Sequence, residues 1–454
     1  MRAELVVRSI RVLTPSGLIP AALHIVNGRI ARVANYTDCP QGVPLDDARD
    51  LVVMPGLVDS HVHFNEPGRS EWEGFETGTA AAAAGGITTV IDMPLNSVPA
   101  TTTVDALRRK REAATGKLHV DVAFWGGVVP KNAAELPSLA SGVAGFKAFM
   151  VPSGVEEFPA VDESDLRQAL PVLARLRLPL LVHAESPSVI DGYSPVLAER
   201  DTTAHSTWLA SRPPDAETAA IDLLIALCRE YRTHIHIVHL SASQALPIIQ
   251  GARAERLPIT VETCPHYLTF AAEAIRAGAT EFKCAPPLRE RSNQVRLWEA
   301  VANGSIDLIA SDHSPCPPAM KELASGNFAR AWGGIGSIEL SLAAVWTGAS
   351  QHGISIEDVA RLMCTRPAEL AGLGSRKGRI AEGFDADLVI WDPAAEFTVI
   401  QSDLVQRHKI TPYNGLRLRG QVERSYVRGN LAYERNDHGS LKAKHGRIIV
   451  RSSS

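Results

Sequence analysis

Eight short apolar runs recur through the middle of this chain, separated by stretches that read as helices. They are residues 52–63, 87–93, 119–128, 143–150, 178–185, 234–240, 259–264 and 306–311. Strand-like runs that alternate with helical segments build parallel sheets, because parallel neighbours need a crossover between them. One such segment, 215–231, opens with Pro213-Pro-Asp215, as a helix start should. Eight repeats suggest an α/β fold of the (β/α)8 TIM-like barrel type over residues 54–372. The alternative is an open doubly wound sheet, which lacks the closure that lets the first and last strands share a site. No Gly-x-Gly-x-x-Gly or Walker-type loop is present to favour a nucleotide-binding sheet.

In a barrel the chemistry belongs at the C-terminal ends of the strands. The first run ends in His61 and His63, which sit two residues apart and so point to one face if the strand continues. The fourth carries Lys147, the fifth ends in His183, the sixth in His239 and the eighth in Asp312. Taken singly, each has an ordinary explanation: a satisfied core histidine, a lysine with its stem along apolar surface, an aspartate capping a turn. Four histidines and an aspartate all at strand ends point instead to a metal centre, since imidazole is the commonest metal-ligand side chain. Lys147, among Phe146, Phe149 and Met150, leaves two readings open. It pairs with Asp312 or Glu185, or its amine is converted into an anion, because an unpaired buried ammonium beside metal cations is costly.

Composition sets the class. The chain has 454 residues, 45% hydrophobic and 21% charged, the balance of a soluble globular protein. A formal charge of -4 gives no electrostatic reason to expect nucleic acid or an acidic membrane as partner. The N-terminus has no apolar leader-like stretch, and the six cysteines are scattered without a Cys-x-x-Cys. That usage suits a reducing compartment, and the expected location is the cytoplasm.

The blocks His61-Val-His-Phe-Asn-Glu-Pro-Gly-Arg69, Trp72-Glu-Gly-Phe-Glu-Thr-Gly78, Asp92-Met-Pro-Leu-Asn-Ser97 and His408-Lys-Ile-Thr-Pro-Tyr413 resemble the cyclic amidohydrolases of the amidohydrolase superfamily, and among them the allantoinases. The resemblance runs from Met54-Pro-Gly-Leu-Val-Asp59 to Gly378-Arg-Ile-Ala-Glu-Gly383. It implies hydrolysis of the hydantoin ring of allantoin to allantoate, a step of purine breakdown. It also implies that CO2 carboxylates Lys147 and that the carbamate bridges two divalent metal ions. His61, His63 and Asp312 would hold one ion, and His183 and His239 the other. Zinc suits a set of imidazoles and carboxylates. Two such ions lower the pKa of a bridging water toward ~7 and polarise a carbonyl. Asp312 is the expected proton shuttle to the leaving ring nitrogen. His313 and His266 are weaker candidates, expected to touch a ligand or the substrate rather than an ion.

Departures from neighbouring families bear on the substrate. Dihydroorotases follow the histidine pair with a carboxylate-gripping arginine, where this chain has Asn65. Hydantoinases and dihydropyrimidinases place a substrate-binding tyrosine five residues after the lysine, where this chain has Pro152. The serine of their Ser-Pro-Pro block is Ala285 here. Arg69 and Asn96 are chemically suited to the ureido group and ring carbonyls, and equally to shaping their own loops. The alternatives are a hydantoinase or dihydropyrimidinase, then a dihydroorotase, then a non-catalytic scaffold relative, which should have lost ligands. The family suggests a homotetramer. The flanks, 1–53 and 373–454, are expected to combine into a small β-sandwich domain, since neither has enough strands to bury a core alone. The polar tail after Tyr433 is expected to be partly disordered.

Overall fold

The computed structural model describes residues 2–435 and 440–451. Its centre is a ring of eight parallel strands: Leu57–Val62, Ile87–Asp92, Asp121–Phe124, Phe146–Phe149, Leu180–His183, Ile235–Ile237, Ile259–Thr263 and Leu308–Ile309. The first two are buried at every position, as expected of a parallel sheet covered on both faces. The ring closes at two seams. Ala144 donates its amide to the Phe124 carbonyl at 2.9 Å. His63 donates to the His313 carbonyl, also at 2.9 Å, beside a parallel bridge between Val62 and His313. The second seam excludes the open sheet and brings the first and last strands together.

Helices cover the outside. Glu163–Leu176 starts with reciprocal caps, in which the Asp165 amide donates to the Asp162 carboxylate at 2.9 Å and the Asp162 amide donates back to Asp165 at 3.2 Å. It buries Leu166, Ala169, Leu170 and Leu173 against the barrel. The helix expected from Asp215 is Pro214–Tyr231. Among the described residues, no helix is long and apolar enough to cross a membrane.

The run expected as one strand over 52–63 is divided. Val52–Pro55 pairs with Leu5–Thr14 and Leu388–Thr398 in a second sheet, and only Leu57–Val62 enters the barrel. Gly56 makes the break: its amide donates to the Asp387 carbonyl, and a Cβ there would lie 2.2 Å from Thr88 Oγ1. The second sheet is mixed, has nine strands drawn from both chain ends, and closes over Val7, Leu23, Ile30, Val53 and Ile390. Beneath the barrel, Asp121 meets Asp385 and Asp387, which lead into strand Leu388–Thr398 of this sheet, around the buried ammonium of Lys377.

Part of the polar tail is ordered. Residues 440–451 do not hang free. Ile449 donates to the Val122 carbonyl at 2.8 Å, Val122 donates to that of Arg447 at 2.9 Å, and Ile449 is buried. Alternating Ile448 and Val450 with Ile449 let this segment add along Asp121–Phe124, an option that overall polarity hid. The rest of the expected disordered tail, 436–439 and 452–454, lies outside the described residues.

Candidate metal centre

The strand ends converge at the mouth of the barrel. His61 Nε2 and His63 Nε2 lie 3.2 and 3.4 Å from the same oxygen, Asp312 Oδ1. The His61 ring is 5.4 Å from that of His239, which is 4.6 Å from that of His183. His183 ends its strand and stacks on Phe149 at 4.6 Å. His239 and Asp312 lie just beyond theirs with φ of +39° and +46°. Left-handed backbone at non-glycine residues costs about 1–3 kcal/mol each, and it turns both side chains back over the barrel axis.

Lys147 projects into the same space, fully buried, and its Nζ has no hydrogen-bond partner. Neither pairing considered from the sequence, with Asp312 or with Glu185, is made; Nζ lies over the Phe149 ring, 4.9 Å from its centre. Burial lowers the amine to about 7, against the pull of Glu262 and Asp312. An uncharged lysine amine is a nucleophile, the form that adds to CO2. Burial raises Asp312, but His61, His63 and His239 hold its carboxyl well below the usual range, so it is anionic. Burial lowers His63 to about 4, leaving a neutral imidazole. The buried His63 Nδ1 and His239 Nδ1 also lack partners. Imidazoles pushed toward the neutral form by burial at His63, His183 and His239, an anionic carboxylate and an unpartnered amine form a donor set that fits divalent cations.

Two carboxylates complete the surroundings: Glu185, considered from the sequence only as a partner for Lys147, and Glu262, which the sequence reading did not name. Glu262 sits 2.5 Å from His61 Nδ1, and Glu185 sits 2.6 Å from His183 Nε2 and pairs with Arg212. Burial pushes both up, but His61 and His236 bring Glu262, and Arg212 and His183 bring Glu185, down to about 2. Glu185 had a signal, two residues beyond His183; Glu262 is an acidic residue inside an apolar strand, a hint that did not reveal its distant partner.

The remaining candidates divide. His313 faces away from the site: its Nδ1 accepts from the amides of Ser337 at 3.1 Å and Ile338 at 3.3 Å. His266 is fully buried against Tyr267 at 4.3 Å, outside the cavity wall. The cavity over the centre measures about 90 Å³ and is walled by Leu95, Asn96, Phe149, Pro152, Ala285 and Trp332, among others. Asn96 has φ +66° and a buried Oδ1 without partner. Arg69 is absent from that wall; it pairs with Glu157, donates to the Asn96 carbonyl at 3.1 Å and lies over Trp72.

The description "Amidohydrolase family" matches residues 52–432. The chain belongs to the amidohydrolase family. Within it, an allantoinase of Streptomyces avermitilis is 49% identical over 99% of both chains. An allantoinase of Arabidopsis thaliana is 44% identical over 96% of this chain and 89% of its own. Among solved members, the L-hydantoinase (dihydropyrimidinase) of Arthrobacter aurescens superposes with a TM-score of 0.93 at 30% identity, covering 99% of this chain and 100% of that one. The dihydropyrimidinase of Brevibacillus agri gives 0.90 at 30% identity, covering 98% of each.

Proposed function

We infer that this amidohydrolase is an allantoinase, which opens the hydantoin ring of allantoin by hydrolysis to give allantoate. The observation that carries the reading is the pairing of near-full-length identity to allantoinases with strand-end ligands that converge on one cavity. His61, His63 and Asp312 would hold one divalent ion, His183 and His239 the other, and a carbamate on Lys147 would bridge them. Zinc is the metal proposed. Bound ions polarise the ring carbonyl and make water nucleophilic at neutral pH. The chain does the rest. Phe149, Leu95 and Trp332 wall the ring in, and Asn96 presents its amide to it. Contacts from His61, His63 and Ser314 all fall on Asp312 Oδ1. Oδ2 is therefore the oxygen assigned to the proton, taken from the attacking water and delivered to the ring nitrogen as its C–N bond breaks. The carbonyl carbon becomes a carboxylate and the nitrogen a terminal ureido group. Arg69 acts by holding the Asn96 loop.

The second reading, a hydantoinase or dihydropyrimidinase, is favoured by the close superposition. Pro152 and Ala285 weigh against it, because both line the cavity where those enzymes are expected to carry tyrosine and serine. A panel of allantoin, hydantoin, dihydrouracil and dihydroorotate with metal-loaded enzyme decides. Allantoin should lead by more than tenfold, a transition-state difference above ~1.4 kcal/mol. Faster turnover of hydantoin or dihydrouracil would replace the assignment. Residues 54–372 are proposed as the catalytic domain, with 1–53 and 373–454 as its partner, in a cytoplasmic homotetramer. Light scattering tests the assembly, and elemental analysis tests for two zinc ions per chain.

A further inference from the structure

Glu262 touches the ligands of both proposed ions. Its Oε1 lies 2.5 Å from His61 Nδ1 and accepts from the backbone amide of His239 at 3.3 Å. His239 has left-handed backbone, as Asp312 does, so the carboxylate grips a peptide held in a costly conformation. The other oxygen, Oε2, lies 3.1 Å from His236 Nε2. His236 Nδ1 is 2.8 Å from Thr260 Oγ1, and that oxygen is 2.8 Å from His234 Nε2.

Strand geometry builds this chain of contacts. His236 lies on a strand that pairs, residue 236 against 260, with the strand carrying Thr260 and Glu262 on its matching face, and His234 immediately precedes that strand. One direction of donation satisfies every link. His234 Nε2–H donates to Thr260, the Thr260 hydroxyl donates to His236 Nδ1, and His236 Nε2–H donates to Glu262. His61 Nδ1–H donates to the other carboxylate oxygen. His61 Nε2 is then a bare lone pair aimed into the centre, the form a metal ligand requires. Glu185 is different: it meets His183 alone among the proposed ligands.

We propose that Glu262 is a positioning residue that presents His61 to one ion and His239 to the other, and that the His234–Thr260–His236 chain locks it from beneath. The proposal rests on assigning those two histidines to different ions. Glu262→Gln offers one acceptor and one donor where two acceptors are needed. Zinc titrated into the metal-free protein by calorimetry, with cobalt(II) spectra as a second readout, separates the roles. Glu262→Gln should weaken both ions by about 10–100-fold, whereas Glu185→Gln should weaken one. Thr260→Val should weaken both to a smaller extent. Glu262→Asp keeps the charge and should recover part of the loss, and it carries the same test if circular dichroism shows the glutamine variant unfolded. A variant at 262 that loses a single ion, or binds two as tightly as wild type, overturns the proposal. A wild-type protein that takes up no metal overturns the metal-centre reading itself.

Discussion

Among the described residues, two buried clusters each bring three potential metal ligands within 4.8 Å of one another: His61, His63 and Asp312 at the top of the barrel, and Asp121, Asp385 and Asp387 beneath it. They differ in what fills the space between the ligands. Below, Lys377 Nζ lies 2.7 Å from Asp121 and 3.1 Å from Asp385 and also pairs with Asp387, while Arg428 pairs with Asp121 and Arg376 with Asp385. Three anions meet three cations, and the cluster is a closed joint between the barrel and the second sheet. Above, the Lys147 amine is unpartnered, and so are the buried Nδ1 atoms of His63 and His239. Proximity of ligand atoms therefore does not distinguish a metal site from an ion-pair joint. Unmet polar demand does.

The largest effect expected is on turnover at the upper cluster. Asp312→Asn should lower kcat by about 10²–10⁴-fold, the scale of a lost proton-transfer group, with the metal-free protein no less stable. Lys147→Met should abolish turnover and raise the melting temperature of the metal-free protein, because it removes a buried, unpartnered amine. Lys147→Ala should regain some activity with acetate and added metal. Near-normal kcat in Asp312→Asn moves the shuttle elsewhere, and a lower melting temperature in Lys147→Met breaks the contrast.

The lower cluster should respond the other way. Lys377→Met leaves three carboxylates buried beside too little charge, and should cost about 3–5 kcal/mol in chemical denaturation. Zinc content per folded chain should not change. If zinc falls in proportion to the variant while the fold survives, the two clusters are not independent.

The pH dependence of that gap sharpens the point. Burial pushes the Lys377 ammonium down, but Asp387, Asp121 and Asp385 hold it above its ordinary 10.5. A cation raised in the folded state contributes fully below its unfolded value and loses that contribution as pH rises through the folded one. The stability difference between wild type and Lys377→Met should be flat from about pH 6 to about pH 10 and narrow above, as measured by urea titrations. Narrowing at neutral pH would mean that another group governs the joint. The smallest effect belongs to its rim: Arg376, 31% exposed, pairs with Asp385, and Arg376→Met should cost no more than about 1 kcal/mol.

The barrel and the strand-end residues that converge in the upper cluster were legible because both follow from local patterns. Parallel strands covered on both faces read as apolar runs, and the rule that chemistry sits at their C-terminal ends picked out His61, His63, Lys147, His183, His239 and Asp312. Arg69 was a reasonable nominee by chemistry, but Glu157, far along the chain, draws it into the loop it supports. Glu262 escaped because its partner His61 lies 201 residues away. The lower cluster was invisible for the same reason, since Asp121 and Lys377 are 256 residues apart.

By itself the sequence determined the order of strands and helices, the chemical types of the candidate ligands, and their places at strand ends, since hydrophobic period and strand length are properties of neighbouring residues. Tertiary structure alone decided which polar groups are satisfied. Hydrogen bonds and ion pairs form between whatever the closed barrel brings within about 3 Å, irrespective of separation along the chain. That non-local pairing filled the three aspartates with Lys377 and left the histidines, Asp312 and Lys147 open to a metal.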